Sequence, residues 1–438
     1  MANTIKATED ILLKLGIKNL HPMQEEAISS IKSNNNTILL SPTGTGKTLA
    51  FLLPLIGLLK PENPEIQALI VVPTRELALQ IEQVARNMGT GFKVNAVYGG
   101  RPMSKDKMEL KHKPAILIGT PGRVLDHIDH NRFSIDHIKT LVLDEFDKSL
   151  EIGFKEEMGA ILSALYALRK RILTSATQGV KIPDFAGVEK PKIINYLQEK
   201  TNSQLVLKTV VSPTKNKLDS LVDLLLYLGN QNGIIFCNLK DSIALVSSFL
   251  EKNAISHGCF SGGMEQKDRE RTLIKFRNGT YPILLATDLA ARGIDVPELN
   301  YIIHYELPLH VEEFTHRNGR TARVKEKGTA YLLQWKNQLL PAYISSTISE
   351  ANTSKKDKKE VPFWETLFIS GGRKDKISKG DIAGLFFKQG GLTKEQLGVI
   401  ELKQDCAFVG VPKTQASNLV AALNNTRLKK KKVRIYIL

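Results

Sequence analysis

Two short strings carry residue types that together could cleave a phosphoanhydride. Ser41-Pro-Thr43-Gly44-Thr45-Gly46-Lys47-Thr48 follows an apolar run, and Asp144-Glu145-Phe146-Asp147 closes another. In the first, glycines let backbone N–H groups turn inward onto phosphate oxygens, and the helix that follows adds a favourable dipole. Thr43 to Gly46 would form that cradle, Lys47 would reach the terminal phosphates, and the Thr48 hydroxyl would bind Mg²⁺. In the second, Asp144 at a strand end could hold Mg²⁺ through water while Glu145 orients or deprotonates an attacking water. Either string alone could be a chance turn or a solvated loop. Their order and the strand–loop–helix setting favour a nucleoside triphosphate site. Ser41 opens the loop where Gly or Ala is usual, and serine is small enough to fit.

Elements that could position these residues are legible in the pattern. Strand candidates are Thr37–Leu40, Ala68–Val72, Val94–Tyr98, Ala115–Ile118, Thr140–Leu143 and Arg171–Thr174, with helical stretches such as Arg75–Met88 between them. The runs are apolar on both faces, as strands of a covered parallel sheet must be. A second series follows: Gly233–Phe236, Ile283–Ala286, Tyr301–His304 and Thr329–Leu333, alternating with helices Ser242–Lys252 and Asp268–Asn278. The expected class is α/β, with two tandem parallel-sheet domains. Glu199–Lys217 shows little periodicity and is the expected hinge. Ser345–Glu360 is polar and reads as a solvated linker. The last part alternates again, with strands Ala407–Val411 and Val433–Leu438 and helices Asp381–Gln389 and Thr414–Asn424. The expected divisions are 1–200, 206–340, a linker over 345–361, and a small α+β domain over 362–438.

The chain has 438 residues and a net charge of +16. From Gly371 to Leu438, 14 Lys and Arg stand against 5 Asp and Glu, an excess of 14 − 5 = +9. Such concentration suggests a polyanion-binding module, with a solvated tail as the alternative. Cys237, Cys259 and Cys406 are odd in number and widely spaced, which speaks against disulfides and zinc. No run approaches the ~20 apolar residues of a membrane span, and the N-terminus lacks the apolar core of a signal peptide. A cytoplasmic protein is expected.

Around the two opening strings, others stand in an order that resembles the DEAD-box RNA helicases. Asp144–Asp147 resembles motif II, with Phe146 in the usual Ala position. Pro73-Thr74-Arg75-Glu-Leu-Ala78 resembles motif Ia, Gly99-Gly100 follows, and Thr120-Pro-Gly-Arg123 resembles motif Ib. Ser175-Ala-Thr177 resembles motif III, Ile234–Asn238 motif IV, and Gln266–Arg269 the element after it. Ala286-Thr287-Asp288 through Asp295 resembles motif V, and His316-Arg-Asn-Gly-Arg320-Thr-Ala-Arg323 motif VI. The resemblance covers residues 10–335 and implies two RecA-like domains that act on ATP and single-stranded RNA. It implies that Arg320 and Arg323 are arginine fingers, that Asp295 contacts the ribose, and that Asp147, Ser175, Thr177 and His316 couple the triphosphate to RNA. His316 could equally be a packing residue. RNA contacts would come from Pro73, Thr74, Arg75, Gly100, Thr120, Arg123, Arg269 and Thr287, a mixture suited to phosphate and sugar and not to base reading.

At the adenine end, Gly16 to Gln24 resembles the Q motif, with Gln24 as the base-reading residue. Leu20 and His21 replace the usual Pro-Thr, and no aromatic precedes Phe51. The family's upstream stacking aromatic is absent, and Ile5 is the candidate to cover the ring. Residues 362–438 are similar to the RNA-binding domain of the DbpA-type helicases, through Phe363-Trp364-Glu-Thr366-Leu367, Ile369–Lys374, Lys379–Gly384 and Lys429–Arg434. That likeness implies an RNA-recognition-motif-like fold directed to a hairpin of large-subunit ribosomal RNA, and a role with pre-ribosomal particles as a monomer. Only Phe408 and Tyr436 lie near strand patterns where bases could stack. Arg373, Lys374 and Lys430 are the expected contacts, while the lysine run could instead be a solvated edge. Two other classes compete: an RNA-binding protein with a decayed core, and a DNA helicase.

Overall fold

Short runs of Ile, Leu and Val become strands here because helices cover both of their faces. The computed structural model describes residues 8–42, 44–177, 182–197, 204–291, 296, 299–321, 327–344, 348–353 and 361–438. It divides into two compact units that meet in sequence between residues 202 and 203.

The first unit is a seven-stranded parallel sheet. Its strands are β1 Asn36–Leu40, β2 Ala68–Val71, β3 Val94–Val97, β4 Ile116–Gly119, β5 Thr140–Leu143, β6 Lys170–Ser175 and β7 Lys192–Asn195, in the order β3-β4-β2-β5-β6-β1-β7. Its helices are α1 Thr8–Leu15, α2 Pro22–Ser33, α3 Lys47–Leu58, α4 Arg75–Met88, α5 Met103–Leu110, α6 Pro121–Asp129, α7 Phe146–Ile152 and α8 Lys155–Ala164. Successive strand residues feed opposite cores, as a period of two requires. Leu39, Ile70, Val142 and Ile172 pack with α2, α3 and α4, whereas Ile38, Leu69, Val71 and Leu141 join residues of α6 and α8.

The second unit opens with another seven-stranded parallel sheet: β8 Gln204–Ser212, β9 Gly233–Phe236, β10 His257–Phe260, β11 Ile283–Ala286, β12 Tyr301–His304, β13 Lys327–Trp335 and β14 Ser349–Glu350. The order β10-β11-β9-β12-β13-β8-β14 repeats that of the first sheet strand for strand. Helices α9 Leu218–Leu228, α10 Lys240–Lys252, α11 Gln266–Arg277, α12 Asp288–Ala291 and α13 Val311–Asn318 connect it. The described part of the aperiodic stretch expected as a hinge begins with a strand: β8 pairs with β13 over nine residues, from Gln204 with Lys327 to Ser212 with Trp335. Its exposed Val206 and its Lys208 and Thr209 break the apolar run that marked the other strands. Most of the expected linker lies outside the described residues.

The same unit ends in a four-stranded antiparallel sheet, β15 Trp364–Ile369, β16 Ile400–Leu402, β17 Ala407–Pro412 and β20 Ile435–Ile437, in the order β16-β17-β15-β20. Helices α14 Lys379–Lys388 and α15 Ala416–Leu423 pack on one face through Leu367, Ile369, Val409, Phe386 and Leu419. The strand expected over Val433–Leu438 is shorter, and a small hairpin, β18 Arg427–Leu428 with β19 Lys431–Lys432, precedes it. On the other face Phe368 stacks on Tyr436 with ring centroids 4.7 Å apart and meets Phe408 edge-on. Phe368 was not among the expected aromatics. That face also receives the end of α11. Arg277 forks onto Glu401, with Nη2 to Oε2 at 2.9 Å, and the hydroxyls of Thr280 and Thr366 lie 2.7 Å apart.

Candidate active site and nucleic-acid interface

The phosphate loop joins β1 to α3. Gly44 and Gly46 have φ of +89° and +85°, and Gly46 caps the helix. Side chains other than glycine rarely adopt that conformation. A Cβ on Gly46 would also lie 2.4 Å from Gln24 Nε2. Gln24 Nε2 donates to the Gly46 carbonyl at 3.2 Å, and Gln24 Oε1 accepts from the His21 backbone N–H at 2.9 Å. The Q-motif glutamine is thus tied to the phosphate loop, and His21 serves as the helix cap in place of the usual threonine, its Nδ1 accepting from Met23 N–H. The buried Ser41 hydroxyl lies 2.7 Å from that of Thr45, so the unusual first residue braces the loop from inside. Lys47 Nζ donates to the Ser41 and Pro42 carbonyls at 2.6 and 2.9 Å, which holds the ammonium at the loop. Thr48 is half-buried on the first turn of α3. Thr43 lies outside the described residues, as do Ile5, Asp295 and Arg323.

Asp144 follows β5 and is 3% exposed. Burial pushes its carboxyl above the ordinary range, while a hydrogen bond from Thr174 Oγ1 and the Lys47 charge oppose the rise. Thr174 also accepts from the Glu145 N–H at 3.2 Å. Glu145 caps α7 with φ of +49°, an L-residue held in the left-handed region beside the phosphate loop's sheet edge, a strain of the kind that collects at functional positions. Asp147 is 1% exposed and accepts from Thr177 Oγ1 at 2.7 Å, and the Ser175 hydroxyl accepts from the Thr177 N–H at 3.0 Å. The ends of β5 and β6 are therefore linked by hydroxyl groups.

Among the described residues no group of three or more His, Cys, Asp or Glu could hold a metal unaided. The donors present are few hard oxygens, Thr48 and Asp144. That suits Mg²⁺, which keeps several waters and takes further ligands from substrate phosphates. A desolvated carboxylate whose acidity is weakened by burial is also one that a cation would stabilise.

The expected strand-binding residues of this unit sit at the same sheet edge, on β2, β3 and β4. Thr74 caps α4, its hydroxyl accepting from Leu77 N–H at 3.3 Å, with Pro73 buried before it and Arg75 after it. Gly100 has φ of +79°, and a Cβ there would lie 2.5 Å from Arg75 Nη1. Thr120 caps α6, and Arg123 Nη2 donates to the Arg101 carbonyl at 2.6 Å.

In the second unit Arg269, on α11 and 8% exposed, lies over the ring of Phe260 from β10, and Thr287 follows β11. Arg320 is 6% exposed after α13, where His316 also stands. Sequence reading passed over the neighbouring Arg317, which is 1% exposed. Arg317 Nε donates to Asp288 Oδ1 at 2.8 Å, Nη1 to the Glu306 carbonyl and Nη2 to Asn238 Oδ1, both at 2.7 Å. One guanidinium thus clamps the strings that resemble motifs IV, V and VI. Its signal was its place inside the sixth.

In the C-terminal sheet domain Arg373, Lys374 and Lys430 are exposed. The lysine run is divided: Lys429 pairs with Asp381 at 3.0 Å and Lys431 with Asp375 at 2.8 Å. Phe408 is 6% exposed, whereas Tyr436 is 43% exposed. The aromatic face is open at one end only.

Family models match three stretches of the chain: DEAD/DEAH box helicase over residues 21–185, helicase conserved C-terminal domain over 216–325, and DbpA RNA binding domain over 366–437. The chain is 31% identical to the ATP-dependent RNA helicase DbpA of Bacillus subtilis (strain 168), with 96% of this chain and 95% of that protein aligned. It is also 31% identical to the protein of the same name from Escherichia coli (strain K12), with 98% and 96% aligned. Among solved structures it resembles S. cerevisiae Dbp5 bound to RNA and ADP BeF3, at a TM-score of 0.65 and 26% identity over 75% of this chain and 87% of that one. It resembles Mss116p bound to ssRNA and AMP-PNP at a TM-score of 0.67 and 27% identity, over 76% and 73%. The chain belongs to the DEAD-box ATP-dependent RNA helicases and carries an RNA-binding domain of the DbpA type.

Proposed function

We propose that this helicase opens short RNA duplexes locally, coupled to ATP hydrolysis with Mg²⁺, during large ribosomal subunit assembly. The observation that carries the reading is one sheet edge shared by two sets of groups. The phosphate loop, Asp144 and Glu145 stand at β1 and β5, and the backbone and hydroxyl groups suited to a single strand stand at β2, β3 and β4. Lys47 and the loop N–H groups bind the phosphates, Gln24 reads the adenine, and Glu145 positions the water that attacks the terminal phosphate. Thr48 and Asp144 hold Mg²⁺, which supplies charge stabilisation at the phosphates. Asp147, Ser175, Thr177 and His316 couple the phosphate loop to the RNA residues. Arg320 and Arg323 act as arginine fingers and Asp295 meets the ribose, roles that need a closed form of the protein.

Contacts from Pro73, Thr74, Arg75, Gly100, Thr120, Arg123, Arg269 and Thr287 hold a strand by phosphate and sugar. The strand is then bent irrespective of sequence. The 362–438 domain, with Arg373, Lys374 and Lys430, directs the core to a hairpin of large-subunit ribosomal RNA within pre-ribosomal particles. The two core domains span 1–200 and 206–340, joined to it by the 345–361 linker, in a cytoplasmic monomer. No helix among the described residues is long and apolar enough to cross a membrane.

Strand displacement tests the reading. A short RNA duplex attached to the ribosomal hairpin is expected to open with ATP, and a chain ending at residue 361 is expected to lose the preference for the hairpin while keeping RNA-stimulated ATPase. Equal rates with and without the hairpin in the full chain would refute the targeting.

A further inference from the structure

One carboxylate at the strand-binding edge of the first sheet has no solvent exposure and no assigned role. Asp106, on α5, is 0% exposed. Its Oδ1 lies 3.3 Å from Arg101 Nη1, and its Oδ2 lies 3.6 Å from Arg123 Nη1 and 3.2 Å from His127 Nε2. A buried carboxylate persists only when cations and hydrogen bonds compensate for its lost hydration. Here the compensating groups come from two separate segments, the loop after Gly100 and α6, with Arg123 in its first turn and His127 in its last.

The geometry ties those pieces into one body. Arg101 anchors to β3, its Nη1 donating to the Ala96 carbonyl at 3.0 Å and its other arm pairing with Glu109. Arg123 bridges back to the Arg101 carbonyl at 2.6 Å. Its side chain is 12% exposed, so much of the guanidinium serves the loop. Gly100 rests against Arg75, which begins α4. Arg75, Gly100 and Arg123, drawn from three segments, therefore take their mutual spacing from a cluster with Asp106 at its centre.

We propose that Asp106 is a positioning residue for RNA binding: it touches no RNA itself but sets the distance between the Gly99–Arg101 loop and the N-terminus of α6. This rests on the reading of that edge as the RNA path. Without the negative charge, Arg123 and His127 lose their common carboxylate, and Arg101 keeps only Glu109 and the Ala96 carbonyl. The loop then moves away from α6, and the contacts to a strand fall out of register.

The test is Asp106→Asn, which keeps the shape and removes the charge, in the full chain. The RNA concentration for half-maximal ATPase is expected to rise about tenfold, with kcat at saturating RNA and the KM for ATP within about twofold of the parent, as misplaced contacts at a distance from the chemistry predict. A general loss of structure would move all three values and the melting temperature. A folded variant whose RNA half-saturation stays within about twofold overturns the proposal, and so does a parallel rise in the KM for ATP. If Asp106→Asn does not fold, Arg101→Lys keeps the charge but loses the fork between Asp106 and Glu109. Its RNA half-saturation is then expected to rise at least threefold (roughly, by the same argument), and no change overturns the proposal. A parent chain whose ATPase ignores RNA would overturn the functional reading beneath it. A stimulated parent with an unaffected variant overturns the positioning role alone.

Discussion

Lys47 and Lys217 occupy corresponding turns of the two parallel sheets, each at the start of the helix that follows the strand next to the sheet's end. Lys47 stands in a glycine loop, its Nζ on the carbonyls of Ser41 and Pro42. Lys217 is 9% exposed, its Nζ donating to the carbonyls of Tyr305, just after β12, and Leu333, within β13, and lying over the Tyr305 ring. Burial pulls its pKa below the ordinary lysine value. One lysine is held within its own glycine-containing loop, and the other is buried against neighbouring strands. The positive-φ glycines Gly44 and Gly46 mark the difference, since the strand order around both lysines is identical.

The second sheet's corresponding edge spends its arginine on itself. Replacing Arg317 by Met should have the largest effect on stability, because Asp288, Glu306 and Asn238 lose their common partner. A loss of about 3–5 kcal/mol is expected in denaturant unfolding, as for breaking other buried ion pairs. Retained stability would mean that the clamp is incidental.

The lysine contrast itself can be broken in two directions. Lys47→Ala should lower RNA-stimulated phosphate release by about 10²–10³-fold, the cost of one lost electrostatic donor at the reacting phosphates, with an unchanged melting temperature. Lys217→Met should leave the rate intact and cost about 1–3 kcal/mol of stability, since two buried carbonyls lose a donor. Reversed outcomes would mean that the two turns do not differ in role.

His304 sharpens the point that the second sheet's interior is structural. It is fully buried on β12, with Nε2 3.1 Å from Asn318 Oδ1, and burial, with the Arg317 charge, lowers its pKa to about 3. The unfolded chain therefore takes up this proton first. Stability from a neutral His304 is complete above the free-histidine pKa and falls as the pH drops toward 3. Between pH 7 and 5 the loss should be about 2 kcal/mol, and His304→Gln should flatten that slope. An unchanged slope would refute the assignment.

Much of the first sheet was legible because β1, β2, β4 and β5 are nearly unbroken apolar runs, whereas β7, polar at both ends and largely exposed, was not marked. Gly44, Gly46, Lys47, Asp144 and Glu145 could be singled out because they follow such runs. β8 was missed because Lys208 and Thr209 interrupt its apolar residues and its first half is only partly buried, so the strand is defined by pairing with β13 and not by composition. Asp106 and Arg317 were missed for a different reason. A charged residue in a helix reads as a solvated face unless its partners are known, and theirs are distant in sequence: Arg317 meets Asn238 and Asp288, and Asp106 meets Arg123 and His127. Phe368 was hidden in a strand that the pattern did not mark, although Tyr436 and Phe408 beside it were found.

Phosphate release from ATP, with and without single-stranded RNA, tests the central claim that hydrolysis belongs to the first sheet's edge and answers to RNA. The parent chain should be stimulated by RNA, and Glu145→Gln should still bind ATP and RNA but hydrolyse about 10²–10⁴-fold more slowly, the usual contribution of a positioned base. An unstimulated parent, or a glutamine variant with the parent's rate, would contradict the account.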